Sequence, residues 1–542
     1  MGTHGSRAAL PQHALTATGP LIGFVVRRNW IRLAAWWAFV VLMFAYVVSY
    51  YHATLDSQDL LDDFASVAAA PSMRALTGVA AEPATMGGAV WTKIWMTLSL
   101  GLAFGMVFLV TRNARAEEES GRGELVRARM VGIHSQSVAT WVVASVVCLL
   151  AGIATAVVSL AAGLDPAGSG TSGSWLMGLS IGAMGLLGVA VSAVAGQVTL
   201  TSRGANALAS AVIGVFYAMR VVGDLGNGAL TWASPIGWGQ KTSPYGDNRW
   251  WPLALQVGTA LVLVTLALVL EGRRDFGAGM LPERLGRADA PTRWTSPFGL
   301  SVRMERGALI GWVVTIAVAG ALFGSVIQSM QTMLADMPPA LAHRLGGDSM
   351  DALASLLARV MALVVLVFAL QATLPLREEE SSGRLEVQLS RSLPRWRWML
   401  SRLVIPAVGS LVLLALGGFV TGSVWDVIAH EGGHISEMVG ATVVHWPAVL
   451  VMVGLAVAAF AAVPKVSVVI TWLLVALVWL VEMLGTATDV SQKVWDALPF
   501  GATPALPSEP MDWAPVVVLV LVAIALVGVA TWWFSRRDLQ AD

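Results

Sequence analysis

The chain has 542 residues, of which 56% are apolar and 13% charged, with a mean hydropathy of +0.70. A soluble protein carries roughly 25% charged residues, so most of this surface must face lipid. Lys+Arg and Asp+Glu balance at 34 each, leaving no basic excess for a nucleic-acid partner, and the single cysteine, Cys148, excludes an internal disulfide and argues against a thiolate metal site.

Residues 1–20 are rich in hydroxyl and basic side chains but lack the apolar core and cleavage site of a signal peptide; they read as a cytoplasmic tail. A helix needs about 20 mainly apolar residues to cross the hydrocarbon core. Twelve segments qualify: 33–51, 90–110, 138–163, 175–200, 207–222, 252–270, 308–327, 352–374, 402–424, 441–463, 466–485 and 514–534. With both termini in the cytoplasm, most Lys and Arg fall on the inner side, including Arg27, Arg28 and Arg32 and the loop 271–307. The opposite orientation inverts that ratio. The expected fold is all-α integral membrane: a first six-helix half over 21–276, a cytoplasmic linker over 277–300 and a second half over 301–542.

The halves share one plan. Arg115, Glu117, Glu118, Ser120, Gly121, Arg122 and Glu124 follow the second span. Arg377, Glu379, Glu380, Ser382, Gly383, Arg384 and Glu386 follow the eighth, 262 residues later. Both sets read R-x-E-E-x-S-G-R-x-E. Arg273, Arg274 and Asp275 after span six match Arg536, Arg537 and Asp538 after span twelve. Pro235 and Gly237 match Pro499 and Gly501, Trp251 matches Trp513, and the stretch from Pro71 to Gly78 parallels that from Pro339 to Gly346. Halves that both start inside are parallel repeats, related by a pseudo-twofold axis along the membrane normal.

Each motif suits a short interfacial helix with a turn. Arg122 with Glu118, and Arg384 with Glu380, stand at i, i+4 spacing. A solvated loop obeying the positive-inside rule is the plainer reading. It does not ask for the acidic cluster twice, so the cluster is expected to face water or a docked protein.

On these motifs, and on the stretch from Ser234 to Gln240 followed by Asn248 to Pro252, the chain resembles fused ABC-2-type permeases. It is similar to the actinobacterial exporters of tetronasin and polyketide antibiotics. The resemblance implies that the loop after the second span of each half is a coupling helix docked on a separate cytoplasmic ABC ATPase. That role falls on Arg115, Glu117, Glu118, Gly121, Arg122 and Glu124, and on Arg377, Glu379, Glu380, Gly383, Arg384 and Glu386. It also implies two ATPase copies per chain, a bacterial plasma-membrane location, and amphipathic elbow helices around Arg28 and around Arg303, Glu305 and Arg306. The second half lacks the Trp238 and Asn248 patterns, so the two outer caps should differ. The chain has no G-x-x-x-x-G-K-[ST] loop, so ATP and Mg belong to the partner and this chain binds no cofactor. The implied activity is transport, without covalent chemistry: export of hydrophobic or amphipathic compounds such as drugs, polyketide antibiotics or lipids. The alternative is a secondary transporter of major-facilitator type, also twelve spans in two parallel halves. It would require mid-membrane carboxylates and the loop G-x-x-x-D-[RK]-x-G-[RK], which is absent after span two.

Ionisable residues inside a span are costly and usually paired or hydrated. Arg220 near the outer end of span five and Glu482 at the matching place in span eleven are expected to meet across the axis as an outer gate; snorkelling is the plainer fate. Gln197, Gln371 and Arg359 are weaker pathway candidates. Gly101 with Gly105, and Gly178 with Gly182, read as close-packing pairs. His430, Glu431 and His434 match H-E-x-x-H, but two glycines between the histidines oppose the helix that a zinc site needs. A polar outer loop is the preferred reading, and no metal is assigned.

Overall fold

In hydrocarbon each backbone N–H and C=O must be satisfied within its own segment, so long apolar stretches become helices. The computed structural model describes residues 14–281, 296–335, 349–485 and 498–539, with 289, 291 and 294, apart from gaps at 70, 80–81, 122, 125–130, 167, 169, 391–392 and 431. All regular structure among the described residues is helical. Eleven helices there are long and apolar enough to cross a membrane. The expected span 466–485 is the helix Ser467–Gly485, whose described apolar part, Ser467–Trp479, is shorter than the other eleven. The chain divides into two units, Met1–Leu285 and Gly286–Asp542.

The first unit runs α1 (Thr18–Thr54), α2 (Gln58–Ala68), α3 (Pro71–Thr77), α4 (Met86–Asn113), α5 (Arg115–Glu119), α6 (Ser135–Ala161), α7 (Ser172–Val198), α8 (Ser202–Leu225), α9 (Ala229–Ala233), α10 (Pro235–Gln240) and α11 (Trp251–Arg273). Its hub is α7, packed by α4, α6 and α11. Glycines let the backbones approach, which is what drives helix association where lipid is as apolar as the side chains. A Cβ on Gly178 would lie 2.1 Å from the Gly152 carbonyl oxygen, and one on Gly182 would lie 2.8 Å from that of Cys148. A Cβ on Gly105 would meet the Trp36 ring at 2.6 Å. Buried hydrogen bonds between α4 and α7, from Trp95 Nε1 to Ser180 Oγ at 2.7 Å and between Thr111 and Ser192 at 3.1 Å, fix their register.

The second unit runs α12 (Pro297–Ala335), α13 (Ser349–Gln371), α14 (Pro375–Ser381), α15 (Arg384–Leu389), α16 (Arg395–Ala429), α17 (His434–Val443), α18 (Trp446–Ala462), α19 (Ser467–Gly485) and α20 (Trp513–Arg536). Helix α13 touches α12, α16, α17 and α18 and forms the core with α18. Glycine again sets the closest approach: a Cβ on Gly324 of α12 would lie 2.5 Å from the Thr421 carbonyl oxygen of α16.

One expectation needs correction. The arginine-rich approaches to spans one and seven are not separate elbow helices. Arg28 lies inside the unbroken α1, and Arg303, Glu305 and Arg306 lie inside the unbroken α12. The expected span over 441–463 lies within His434–Ala462, one of the eleven span-length segments, which a short turn at Val444 and His445 divides into α17 and α18. The break has a local cause, because Pro447 in the first turn of α18 has no N–H to continue the preceding helix. The stretch expected to mirror Pro71 to Gly78, from Pro339 to Gly346, lies outside the described residues.

Substituting Gly178→Leu should abolish stable accumulation of the purified chain, since α6 and α7 cannot separate without unpacking the hub. Size-exclusion chromatography and thermal unfolding check this, with Gly258→Ala, whose Cβ meets nothing within 4 Å, expected to stay within about 1 kcal/mol of the parent, allowing for ordinary surface substitution.

Candidate functional site

The two charged motifs are built alike. In the first, α4 stops at Asn113, the backbone kinks at Ala114, and α5 carries the acidic cluster to Gly121 at φ +72°. In the second, α14 carries the cluster, and Gly383 at φ +71° opens α15. A left-handed residue ends a helix sharply and strains any side chain with a Cβ. That accounts for glycine at both matched places.

The acidic residues turn inward. Glu118 receives two parallel hydrogen bonds from Arg274, Nη1 to Oε2 at 2.9 Å and Nη2 to Oε1 at 2.6 Å. Glu380 receives the same pair from Arg537, at 2.5 and 2.8 Å. Both carboxylates are nearly sealed, with side-chain exposures of 7% and 1%. Each arginine stands just beyond the last long helix of its unit, α11 or α20. In both units, therefore, a bidentate ion pair fastens the motif to the end of the final span, and such paired bonds are both strong and geometrically strict.

The remaining contacts differ between units. Arg115, fully buried, donates to Leu200 O at 2.7 Å, to Glu118 at 2.7 Å and to Gly277 O at 3.2 Å. Glu117 meets Arg28 of α1 at 3.1 Å. Arg28 and Asn29 both donate to Asn113 Oδ1, at 2.6 and 2.8 Å. Glu119 accepts from the Ser202 N–H at 3.0 Å and from its hydroxyl at 2.7 Å, at the first turn of α8. Gln197, weighed as a pathway residue, accepts from Arg274 Nε at 2.5 Å. In the second unit, Glu379 binds Arg402 of α16 and accepts from Gln388 at 3.1 Å. Arg377 approaches Glu380 at 3.9 Å.

The acidic cluster as a whole is thus not a free docking face, contrary to the expectation from sequence. Glu118, Glu379 and Glu380 are used within their own units. The expected pair of Arg384 with Glu380 is replaced by Arg384 with Glu378 at 3.2 Å. Gly383 breaks the helix between them, so i, i+4 geometry does not apply. Arg122, the expected partner of Glu118, lies outside the described residues. Among the described residues, the exposed charged members are Glu119 and Glu124 in the first motif and Glu378, Arg384 and Glu386 in the second, with Val387 72% exposed beside them.

Arg220 is fully buried, and its partners come from its own unit. It pairs with Asp224, one turn on, at 3.3 Å. It donates to Arg74 O at 3.1 Å and Leu76 O at 3.4 Å, and its guanidinium lies 4.5 Å from the Tyr217 ring centroid. Asp224 also accepts from Thr231 at 2.7 Å. Arg220 thereby pins α3 onto α8, and Asp224 holds α9 there through Thr231. Glu482 lies in α19, and its side chain falls outside the described residues. In the first unit, Tyr245 shares a buried hydrogen bond with Ser159, and burial pushes its phenol well above the usual range.

The H-E-x-x-H segment is a turn between two helices. His430 closes α16 at φ +58°, Gly433 stands at φ +118°, and His434 opens α17. His434 stacks on Trp425 at 3.9 Å and bonds Asp426 at 2.6 Å. Glu431 lies outside the described residues.

Residues 294–535 match a family described as "Multidrug efflux system permease Rv1217c, C-terminal domain". Over 543 residues, covering 99% of this chain and 98% of the relative, the sequence is 31% identical to the multidrug efflux system permease protein Rv1217c of Mycobacterium tuberculosis. With eleven apolar helices of spanning length, this similarity makes the chain a multi-pass membrane protein.

Breaking one side of a buried pair costs about 3–5 kcal/mol, because the other charge stays buried and unpaired. Glu380→Gln and Arg537→Gln should each lower the thermal midpoint. The swap Glu380→Arg with Arg537→Glu should recover part of the loss. Additive losses, with no recovery in the swap, would refute the clamp.

Proposed function

The chain belongs to the family of multidrug efflux system permeases, and on that premise we propose that it is the membrane subunit of an ATP-driven ABC exporter of the ABC-2 type. In this reading twelve helices form two six-helix halves, both termini lie in the cytoplasm, and the chain sits in the bacterial plasma membrane. Two copies of a cytoplasmic ABC ATPase bind beneath it and hold the ATP and Mg. The cargo is a hydrophobic or amphipathic compound such as a drug, a polyketide antibiotic or a lipid.

The observation that carries this reading is the clamped motif, present once in each unit. A coupling element must do two things. It must offer a partner an outward face, and it must be joined stiffly enough to the spans that a push on it moves them. Glu124 and the face of Glu378, Arg384, Glu386 and Val387 serve the first need. The Glu118–Arg274 and Glu380–Arg537 pairs serve the second. ATP-driven closure of the ATPases would then rock each half as a body between inward-open and outward-open states. Arg220, by holding α3 onto α8, and Glu482 at the matching place of the other half contribute to the outer gate in the same reading.

The test uses tagged chain purified from its native host, compared with the variant Glu124→Lys, Arg384→Glu, Glu386→Lys, Val387→Asp. The parent should bring down a P-loop ATPase. The variant should lose at least about tenfold of it, roughly 1.4 kcal/mol of binding, with an unchanged thermal midpoint. A parent that purifies without any ATPase, or a folded variant that keeps it fully, contradicts the proposal.

A further inference from the structure

Helices α16, α18 and α20 of the second unit enclose a side-open apolar groove of about 670 Å³. Its walls include Leu400, Leu403, Val453, Ile524 and Val527. Gly528 forms its floor, where a Cβ would meet nothing within 4 Å. Along α20 the groove runs from Ala523 to Arg536, about 20 Å at 1.5 Å per residue. That length spans one leaflet of hydrocarbon, about 15 Å, and reaches its polar edge.

The polar edge is cationic. Arg536 lies 4.3 Å from the Trp532 ring centroid, and Arg397 lies 5.3 Å from that of Trp396. Both tryptophans line the groove, and Ser535 lies at the same end. Among the described residues neither arginine has a carboxylate within ion-pair distance, whereas the adjacent Arg537 is consumed by Glu380. Arg536, which lines the mouth of an apolar groove of leaflet depth over the Trp532 indole and has no carboxylate within ion-pair distance among the described residues, with Arg397 beside the lining Trp396, complements one ligand chemistry: a phosphate joined to an acyl chain.

We propose that this groove binds one anionic phospholipid, with an acyl chain along Gly528 and the phosphate at Arg536, on the side of the groove where Arg397 flanks Trp396. The site lies within one unit and does not depend on the ATPase assignment.

The full chain, delipidated in detergent, is mixed with phosphatidylglycerol or with phosphatidylcholine of the same acyl chains, and native mass spectrometry counts retained lipid. The parent should hold one phosphatidylglycerol at least about fivefold better than phosphatidylcholine, roughly 1 kcal/mol. Gly528→Leu starts from a Cβ in open space, extends into the groove and should lose that lipid at an unchanged thermal midpoint. Arg397→Gln with Arg536→Gln should bring phosphatidylglycerol down to the phosphatidylcholine level. Equal retention of the two lipids by the parent, or full retention by Gly528→Leu, would overturn the proposal. Binding of rhodamine 6G that Gly528→Leu abolishes, with no retained phosphatidylglycerol, would assign the groove to cargo and equally overturn it.

Discussion

Each unit depends at one end on a single interaction, a glutamate held bidentately by an arginine from beyond its last long helix. Without Arg274, Glu118 would be a nearly buried charge that has lost both bonds of its bidentate partner and keeps Arg115 at 2.7 Å; without Arg537, Glu380 would be a buried charge that has lost the same two bonds. Desolvation makes such a charge costly, so the motif must either stay clamped or come away from the bundle. The arrangement is therefore close to all-or-none. That property suits an element asked to transmit displacement, because a bond that stretched gradually would absorb the motion.

The surroundings of the two clamps differ in ways that follow from local sequence. In the first unit the motif is a hub, gripping α1 through Glu117, α8 through Glu119 and the segment after α11 through Arg115 and Glu118. In the second, Ser381 stands where Glu119 would be, and the grip moves to Arg402 at the start of α16. The opposite ends diverge as well. The first unit carries the Arg220 and Tyr245 networks, while the second places a turn at His445, which bonds Thr503 at 2.6 Å.

Much of this was legible in the sequence, for identifiable reasons. Hydropathy located the spans because lipid forces helix wherever the chain is apolar. The close-packing role of Gly178 and Gly182 was legible because their spacing puts both on one helical face. The clamp was half visible. The matched motifs and the matched Arg274 and Arg537 are each plain in the sequence, but nothing local says that two elements more than 150 residues apart touch. Their joint recurrence was the available signal. The pairing of Arg384 with Glu380 failed because helical spacing was carried across Gly383, which ends the helix. Asp224, four residues after Arg220, is the i, i+4 partner that the same helix offers, nearer in sequence than Glu482. Pro447 likewise marked the break that divides α17 from α18.

Amide hydrogen exchange on the parent and on Arg537→Gln tests the clamp most directly. Exchange of backbone amides in 376–390 should rise at least about tenfold in the variant, the equivalent of 1.4 kcal/mol of lost protection, while the core of α13 stays protected. Protection in 376–390 equal to that of the parent would show that the Glu380–Arg537 pair does not hold the motif, and would contradict the account.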